Sequence, residues 1–298
     1  MKNNLVKKIA RPRLLLVGCG DVGLRLLPLL RNHFRVFAVT SQPARIAQLR
    51  AAGAVPVVAN LDMPQTLHRL TGLANTIVHL APPQSEGKLD RRTRNLTTIL
   101  PRHGKLVYVS TTGVYGDCGG AVFDETRPTA PVNARAARRV DAEQTLRRWA
   151  LRAQGQVAIL RVPGIYAADR LPVERLKQGT PALIDADDVY TNHIHADDLA
   201  NIIKLALLRA RAQRVYHTVD DSDLKMAAYF DMVADTFGLA HPPRVARAEL
   251  AKQVSPMLMS FMSESRRLLN RRIKHELGVK LIYPTVSHTL QKITHPKI

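Results

Sequence analysis

The chain has 298 residues, 46% of them hydrophobic, enough to bury roughly three quarters of its unfolded surface and too apolar for a disordered polymer. Its 44 Lys and Arg outnumber 24 Asp and Glu, and the resulting charge of +20 attracts phosphorylated ligands or polyanions. No apolar run approaches the ~18 residues of a membrane helix, and the Lys-rich start leads into an apolar stretch too short for a secretory signal. Aromatic residues are only 5% and the basic residues are spread along the chain, so a nucleic-acid role is not expected. The two cysteines, Cys19 and Cys118, have no partners at metal-ligand spacing and suit a reducing cytoplasm.

Leu14 to Val17 read as a short buried strand, and Gly18, Gly20 and Gly23 supply G-x-G-x-x-G spacing at the entrance to a helix from Asp21 to Leu30. The glycines and the first-turn amides of Asp21 and Val22 form the expected pyrophosphate cradle. Pro28 is expected to bend or shorten that helix. Arg35 to Thr40 form a second strand, whose end is where an acid would accept hydrogen bonds from the ribose of NAD. No acid occurs between Asp21 and Asp62; Thr40, Ser41 and Arg45 stand there instead, which favours the 2′-phosphate of NADP, with NAD the alternative. The competing reading of Arg45 is a solvated residue on a helix from Pro43 to Ala52.

Val55 to Ala59 are a third strand, followed by Asp62 as cap of a helix carrying Thr66 to Leu73. Asn75 to Leu80 are a fourth, ending at Ala81 and Pro82, so that Leu80, Ala81 and Pro82 join the expected cofactor-binding set. A helix over Leu89 to Leu100 and a fifth strand over Lys105 to Ser110 continue an alternation that indicates a parallel sheet with helices on both faces.

The run Tyr108-Val-Ser-Thr-Thr-Gly-Val-Tyr-Gly116, with the glycine motif, resembles the extended short-chain dehydrogenase/reductase superfamily, the nucleotide-sugar epimerase and dehydratase group and its atypical relatives. Arg161-Val-Pro-Gly-Ile-Tyr166, Asn192-His-Ile-His-Ala-Asp-Asp-Leu199, Val215-Tyr-His-Thr-Val-Asp-Asp221 and Glu276-Leu-Gly near Tyr283-Pro284 extend the resemblance over almost the whole chain. It implies that Thr111 polarises the substrate oxygen. That superfamily usually carries Tyr-x-x-x-Lys, the phenol exchanging a proton and the lysine holding the nicotinamide ribose. Aligning Asp141-Ala-Glu-Gln144 with the family's helix places Arg135 at the tyrosine position and Arg139 at the lysine position. A guanidinium stays protonated and cannot exchange a proton as a phenol does. Arg139 could still supply charge and ribose hydrogen bonds, and Tyr115 is the nearest phenol in sequence, although packing in the interior competes with a catalytic role for it. Both arginines could equally lie on a solvated helix face.

Gln156 to Arg161 and Val215 to Val219 complete the sheet, and Leu224 to Phe237 form an amphipathic helix of the smaller lobe. The expected architecture is a doubly wound, mostly parallel Rossmann sheet (residues 1–165 and 190–220) with a mainly helical substrate lobe (166–189 and 221–298). Arg170, Arg175 and Lys177 would give that lobe positive charge suited to an anionic substrate. His193 and His195 are expected to pack or bond to loops rather than hold a metal, with Asp197 capping a helix from Asp198 to Arg209. Arg266, Arg267, Arg271, Arg272 and Lys274 form the best candidate for polyanion contact, competing with a solvated helix face. The leading functional expectation is an NADP-favouring oxidoreductase or epimerase-like enzyme for a small substrate, in the cytoplasm, with a homodimer compatible. Its alternative is a non-catalytic NADP-binding sensor or scaffold.

Overall fold

Seven strands run parallel through the centre of the protein, whose computed structural model describes residues 11–294. They are β1 (Arg13–Val17), β2 (Arg35–Thr40), β3 (Val55–Val58), β4 (Thr76–His79), β5 (Lys105–Thr111), β6 (Gln156–Val162) and β7 (Arg214–His217), in the order β7-β6-β5-β4-β1-β2-β3. The chain winds outward from β1 to β3, returns to β4 on the other side of β1, and winds outward again. That reversal opens a crevice at the C-terminal ends of β1 and β4, where ligands of open α/β sheets bind.

Alternation along β1 builds the two cores. Leu14 and Leu16 pack with the Asp21–Leu30 and Ala196–Arg209 helices, and Leu15 and Val17 pack with Leu96, Leu146 and Trp149 on the opposite face. Both faces are covered, which is why the strands read as continuous apolar runs rather than as alternating ones. The smaller lobe has its own core, including Leu183, Phe230, Val233 and Met262. It is mainly helical, as expected, with short strand pairs at its edges. Tyr190–Thr191 pairs with Leu224–Lys225, Ala182–Leu183 with Arg244–Val245, and Val122–Phe123 with Arg267–Leu268, around the Met226–Phe237 and Val286–Thr294 helices.

Several local expectations need correction. The first helix is not shortened, because Pro28 lies in its last turn and the helix runs on to Leu30, with Arg31 N–H donating to Leu27 O. Pro43–Arg45 is a 3-10 turn leading into a helix over Ile46–Ala51, and Pro64–Leu70 is 3-10 rather than a helix to Leu73. Asp62 does not cap that segment; its carboxylate receives Arg92 Nε and Nη2 at 2.9 and 2.6 Å. Asp197 does not cap the Ala196–Arg209 helix either. His195 does, its Nδ1 accepting from Asp197 N at 3.2 Å, which frees the Asp197 carboxylate for Arg25.

Candidate functional site

The turn after β1 is built around Gly18. Its φ is +88°, and a Cβ there would stand 2.5 Å from Ala81 N, so neither backbone conformation nor space admits a side chain. Ala81 cannot yield, because its N–H and that of Leu80 both donate to Val17 O, at 3.0 and 2.8 Å. The fourth-strand terminus is thereby pinned against the glycine turn. Gly20 differs: nothing lies within 4 Å of a Cβ placed there, which leaves its backbone open to a ligand. A groove of about 640 Å³ runs from this turn past Thr40, Ser41 and Arg45 to Leu80, Ala81 and Pro82, gathering the glycine-turn and strand-end residues expected to bind a cofactor, but not Arg139.

The groups in the groove are not all free. Thr40 Oγ1 accepts from Gln42 N at 3.1 Å, closing a turn, and Arg45 Nε donates to Gln48 Oε1 at 3.1 Å. Ser41 is exposed. Asp21 is bound by Arg25 Nε at 3.0 Å and by Arg170 Nη1 at 2.8 Å, tying the first helix to the small lobe. Partial burial pushes the Asp21 carboxyl up, but the hydrogen bonds and charge of the two arginines outweigh it and hold the group below its ordinary range. Burial pushes the Cys19 thiol up to about 11 against the opposing charge of Arg45, which makes Cys19 an inert packing residue.

A second cavity, of about 320 Å³, opens beyond the C-terminal end of β5 and under the small lobe. Thr111, at the end of that strand, lines it and accepts from Gly113 N at 3.2 Å. Ile165 lines both volumes and stands between groove and cavity. Arg135 also lines the cavity, with its guanidinium 4.0 Å from the centre of the Phe261 ring, and is not on a solvated face. Arg139 turns inward instead. Its Nη1 donates to Tyr108 Oη at 3.0 Å and to Val109 O at 3.1 Å, and it lines neither volume.

Tyr115 is buried behind the cavity and lines neither volume. Its hydroxyl receives Arg161 Nη1 at 2.7 Å and lies 2.6 Å from His217 Nε2, within a buried network in which Arg161 pairs with Glu143 at 2.7 Å and Glu143 accepts from Ser110 Oγ at 2.6 Å. Burial pushes its phenol up to about 12, with Arg161 opposing. Buried and committed to this network, Tyr115 has the environment of a packing residue.

Sequence reasoning missed the groups that close the cavity from the C-terminal side. Glu264 is buried, accepts from Asn133 Nδ2 at 3.3 Å and from Arg266 Nη1 at 2.6 Å, and lines the cavity. A Cβ on Gly113 would lie 3.6 Å from Thr111 Oγ1 and 4.0 Å from Glu264 Oε2, so carboxylate and hydroxyl converge on one small region. Tyr190, Tyr229 and His193 line it as well. A polar residue about 150 positions from Thr111, inside a stretch that reads as basic helix, carries no local signal of this placement.

The histidines behave as packing groups. His193 is buried with its ring 4.5 Å from that of Tyr229, and His195 stacks on Tyr283 at 3.6 Å. Among the described residues no group of three or more His, Cys, Asp or Glu could hold a metal, and no helix is long and apolar enough to cross a membrane. The expected C-terminal polyanion cluster is largely neutralised within the fold: Arg266 meets Glu264, Arg267 meets Asp223, Arg272 meets Glu125 and Lys274 meets Asp221.

Comparison with known proteins gives consistent matches. The family model described as RmlD substrate binding domain matches residues 93–282. A UDP-glucose 4-epimerase of Azospirillum brasilense is 30% identical over 246 residues, 68% of this chain and 70% of that protein. A dTDP-glucose 4,6-dehydratase of Streptomyces niveus is 27% identical over 142 residues, 44% of this chain and only 42% of that protein. Among solved structures, a conserved protein of unknown function from Silicibacter pomeroyi superposes with a TM-score of 0.77 at 29% identity, covering 95% of this chain and 98% of that one. A dTDP-glucose 4,6-dehydratase double mutant from Streptomyces venezuelae, with NAD bound, gives 0.71 at 22% identity over 94% and 96% of the two chains.

Proposed function

The chain belongs to the NAD-dependent epimerase/dehydratase group of the extended short-chain dehydrogenase/reductase superfamily, and from that premise we propose that it binds a nicotinamide dinucleotide in the glycine-turn groove and acts on a small anionic substrate in the adjoining cavity. The observation that carries this reading is that Ile165 lines both volumes, which sets groove and cavity side by side. A dinucleotide lying from the Gly18 turn toward β5 would bring its reactive ring to the mouth of the cavity that Thr111 lines.

Gly18, Gly20, Gly23 and the amides of Asp21 and Val22 would receive the pyrophosphate, with Leu80, Ala81 and Pro82 forming the opposite wall. Bound there, the nicotinamide supplies or accepts the hydride. Ser41 and Arg45 support NADP over NAD, because no acid stands near the second-strand terminus to repel a 2′-phosphate. The dehydratase structure holding NAD favours the other cofactor, so the choice rests on a binding comparison. Thr111 would donate its hydroxyl hydrogen to a substrate oxygen, and Glu264 is placed to exchange a proton in the same region. Arg135 and Arg175 line the cavity, and although the charge of Glu264 reaches Arg135, neither arginine forms an ion pair among the described residues, which supports an anionic substrate. Burial lowers the Arg175 guanidinium to about 10, and it still carries its charge at neutral pH.

A second reading, dinucleotide binding without turnover, is favoured by Arg135 and Arg139 in place of the usual phenol and lysine and by the burial of Tyr115. Oxidation of NADPH or NADH against a panel of small carboxylated and phosphorylated carbonyl compounds separates the two. Turnover that is lost in Thr111→Ala supports the enzyme, and binding with no turnover across the panel supports the sensor.

A further inference from the structure

Asp21 is the only acidic residue among the first 61, and its carboxylate is occupied by Arg25 and Arg170 beside the glycine turn. The opposite end of the sheet, where β1, β2 and β3 begin, therefore receives no negative charge from these elements. There Arg11, Arg13, Arg31 and Arg35 surround a recess of about 320 Å³, and no carboxylate lines it. Arg13 and Arg35 stand directly opposite each other in the β1–β2 register, a like-charge juxtaposition that is destabilising without a counter-charge. Among the described residues, the side-chain contacts these arginines make are with neutral groups: Arg11 donates to the Arg31 carbonyl, and Arg35 lies 5.5 Å from the Phe37 ring centre.

An ordinary helix-end effect accounts for one of the four. Arg31 caps the C-terminus of the first helix, where a cation gains about 0.3–1 kcal/mol from the helix dipole. Arg11, Arg13 and Arg35 have no such compensation. Because the sheet is parallel, Lys105 at the start of β5 and Arg102 in the loop before it lie on the same edge and extend the positive surface. The contrast with the C-terminal cluster is sharp, since most of the cations there already meet carboxylates.

We propose that this recess and the adjoining sheet edge dock the phosphodiester backbone of duplex nucleic acid. Forked guanidinium donors match phosphate oxygens in pairs, and the overall charge of +20 draws a polyanion toward them. Among the described residues Phe34 is the only aromatic lining the recess, so the contacts are to backbone rather than stacked bases and carry no sequence preference. The surface lies at the opposite end of the strands from the dinucleotide groove, and it stands whether or not the functional reading above is right.

Fluorescence anisotropy of a labelled duplex, titrated with the full chain at salt from ~50 to ~200 mM, tests this. About four phosphate contacts give a slope of log K against log salt of roughly −3 to −4, and the double variant Arg13→Gln/Arg35→Gln makes it gentler by about 2. Arg271→Gln, an exposed arginine of the other lobe, leaves affinity and slope unchanged. The thermal midpoint of the double variant, equal to or above that of the parent, shows that lost binding is not lost folding. No binding at ~50 mM salt, or binding indifferent to the double variant, overturns the proposal. Equal or tighter binding of polyglutamate or of phosphatidylserine vesicles also overturns it, in favour of an acidic protein or a membrane surface.

Discussion

Replacing Gly20 by alanine should separate folding from dinucleotide binding, whereas the same change at Gly18 should damage both. At Gly18 a Cβ meets Ala81 N at 2.5 Å with φ at +88°, and Ala81 N is held to Val17 O at 3.0 Å, so the clash cannot be relieved without breaking the junction of β1 and β4. Left-handed backbone costs roughly 1–2 kcal/mol for a residue with a Cβ, and overpacking adds about 1–3, for a total of about 2–5 kcal/mol. At Gly20 no atom lies within 4 Å of the added methyl, and the position caps the first helix without a side-chain hydrogen bond. Alanine there should cost at most about 1 kcal/mol from its poorer capping preference. The methyl would, however, project into the space a pyrophosphate needs, and a loss of at least tenfold in affinity, about 1.4 kcal/mol, is expected. Urea denaturation gives the stabilities, and calorimetric titration with NADPH and NADH gives the affinities. A Gly20→Ala protein that binds the dinucleotide as well as the parent would refute the placement of the pyrophosphate at this turn.

Three further outcomes follow from the same geometry. Glu143→Gln leaves Arg161 buried beside a neutral amide, where side-chain exposures are only 7% and 5%, and should cost about 3–5 kcal/mol in urea denaturation; a loss below about 1 kcal/mol would contradict the buried-pair reading. Thr111→Ala and Glu264→Gln should each lower kcat by about 10²–10⁴ on any substrate that is turned over, while calorimetric dinucleotide affinity stays unchanged; unaltered kcat in both would remove them from the chemistry. Burial holds His79 and His217 at about 3 and His193 and His195 at about 4, below their ordinary 6.5. These histidines take up protons on unfolding, so their contribution is intact above about pH 6.5 and declines as pH falls toward 4. Burial raises Asp220 to about 7 and also raises Glu125, Asp188 and Asp198, so these carboxyls hold protons more tightly in the folded state and partly oppose the histidines. Stability therefore falls as pH drops from about 6.5 toward 5, where the histidines take up protons only in the unfolded chain. A denaturation midpoint that is flat from about pH 7 to 5 would contradict it.

The sheet and the grouping of the strand-end residues in one groove were legible in the sequence because their signals are local. Leu14–Val17 followed by Gly18, Gly20 and Gly23 is one contiguous segment, and the groove residues sit at strand ends that hydrophobic runs already mark. Boundaries of the short helices were less legible: Pro43 and Pro64 begin 3-10 turns, which share composition with α-helix starts. Caps also competed. Asp197 has the preferred residue type for a cap, but an arginine 172 positions earlier takes its carboxylate, and a histidine fills the role. The second cavity was least legible, since Thr111, Arg135 and Glu264 come from separate segments, and Glu264 lies just before the strand Arg267–Leu268 that pairs with Val122–Phe123. The same long-range pairing explains the C-terminal cations, which sequence alone presents as a free basic face and the fold uses as partners for Glu264, Glu125 and Asp221.

Calorimetric titration of the purified chain with NADPH and with NADH bears most directly on the central claim. Saturable binding of one dinucleotide per chain, with NADPH the tighter by at least about tenfold and that preference lost in Arg45→Ala, is the predicted result. Binding of neither dinucleotide would contradict the assignment of the groove, and with it the functional reading built on that groove.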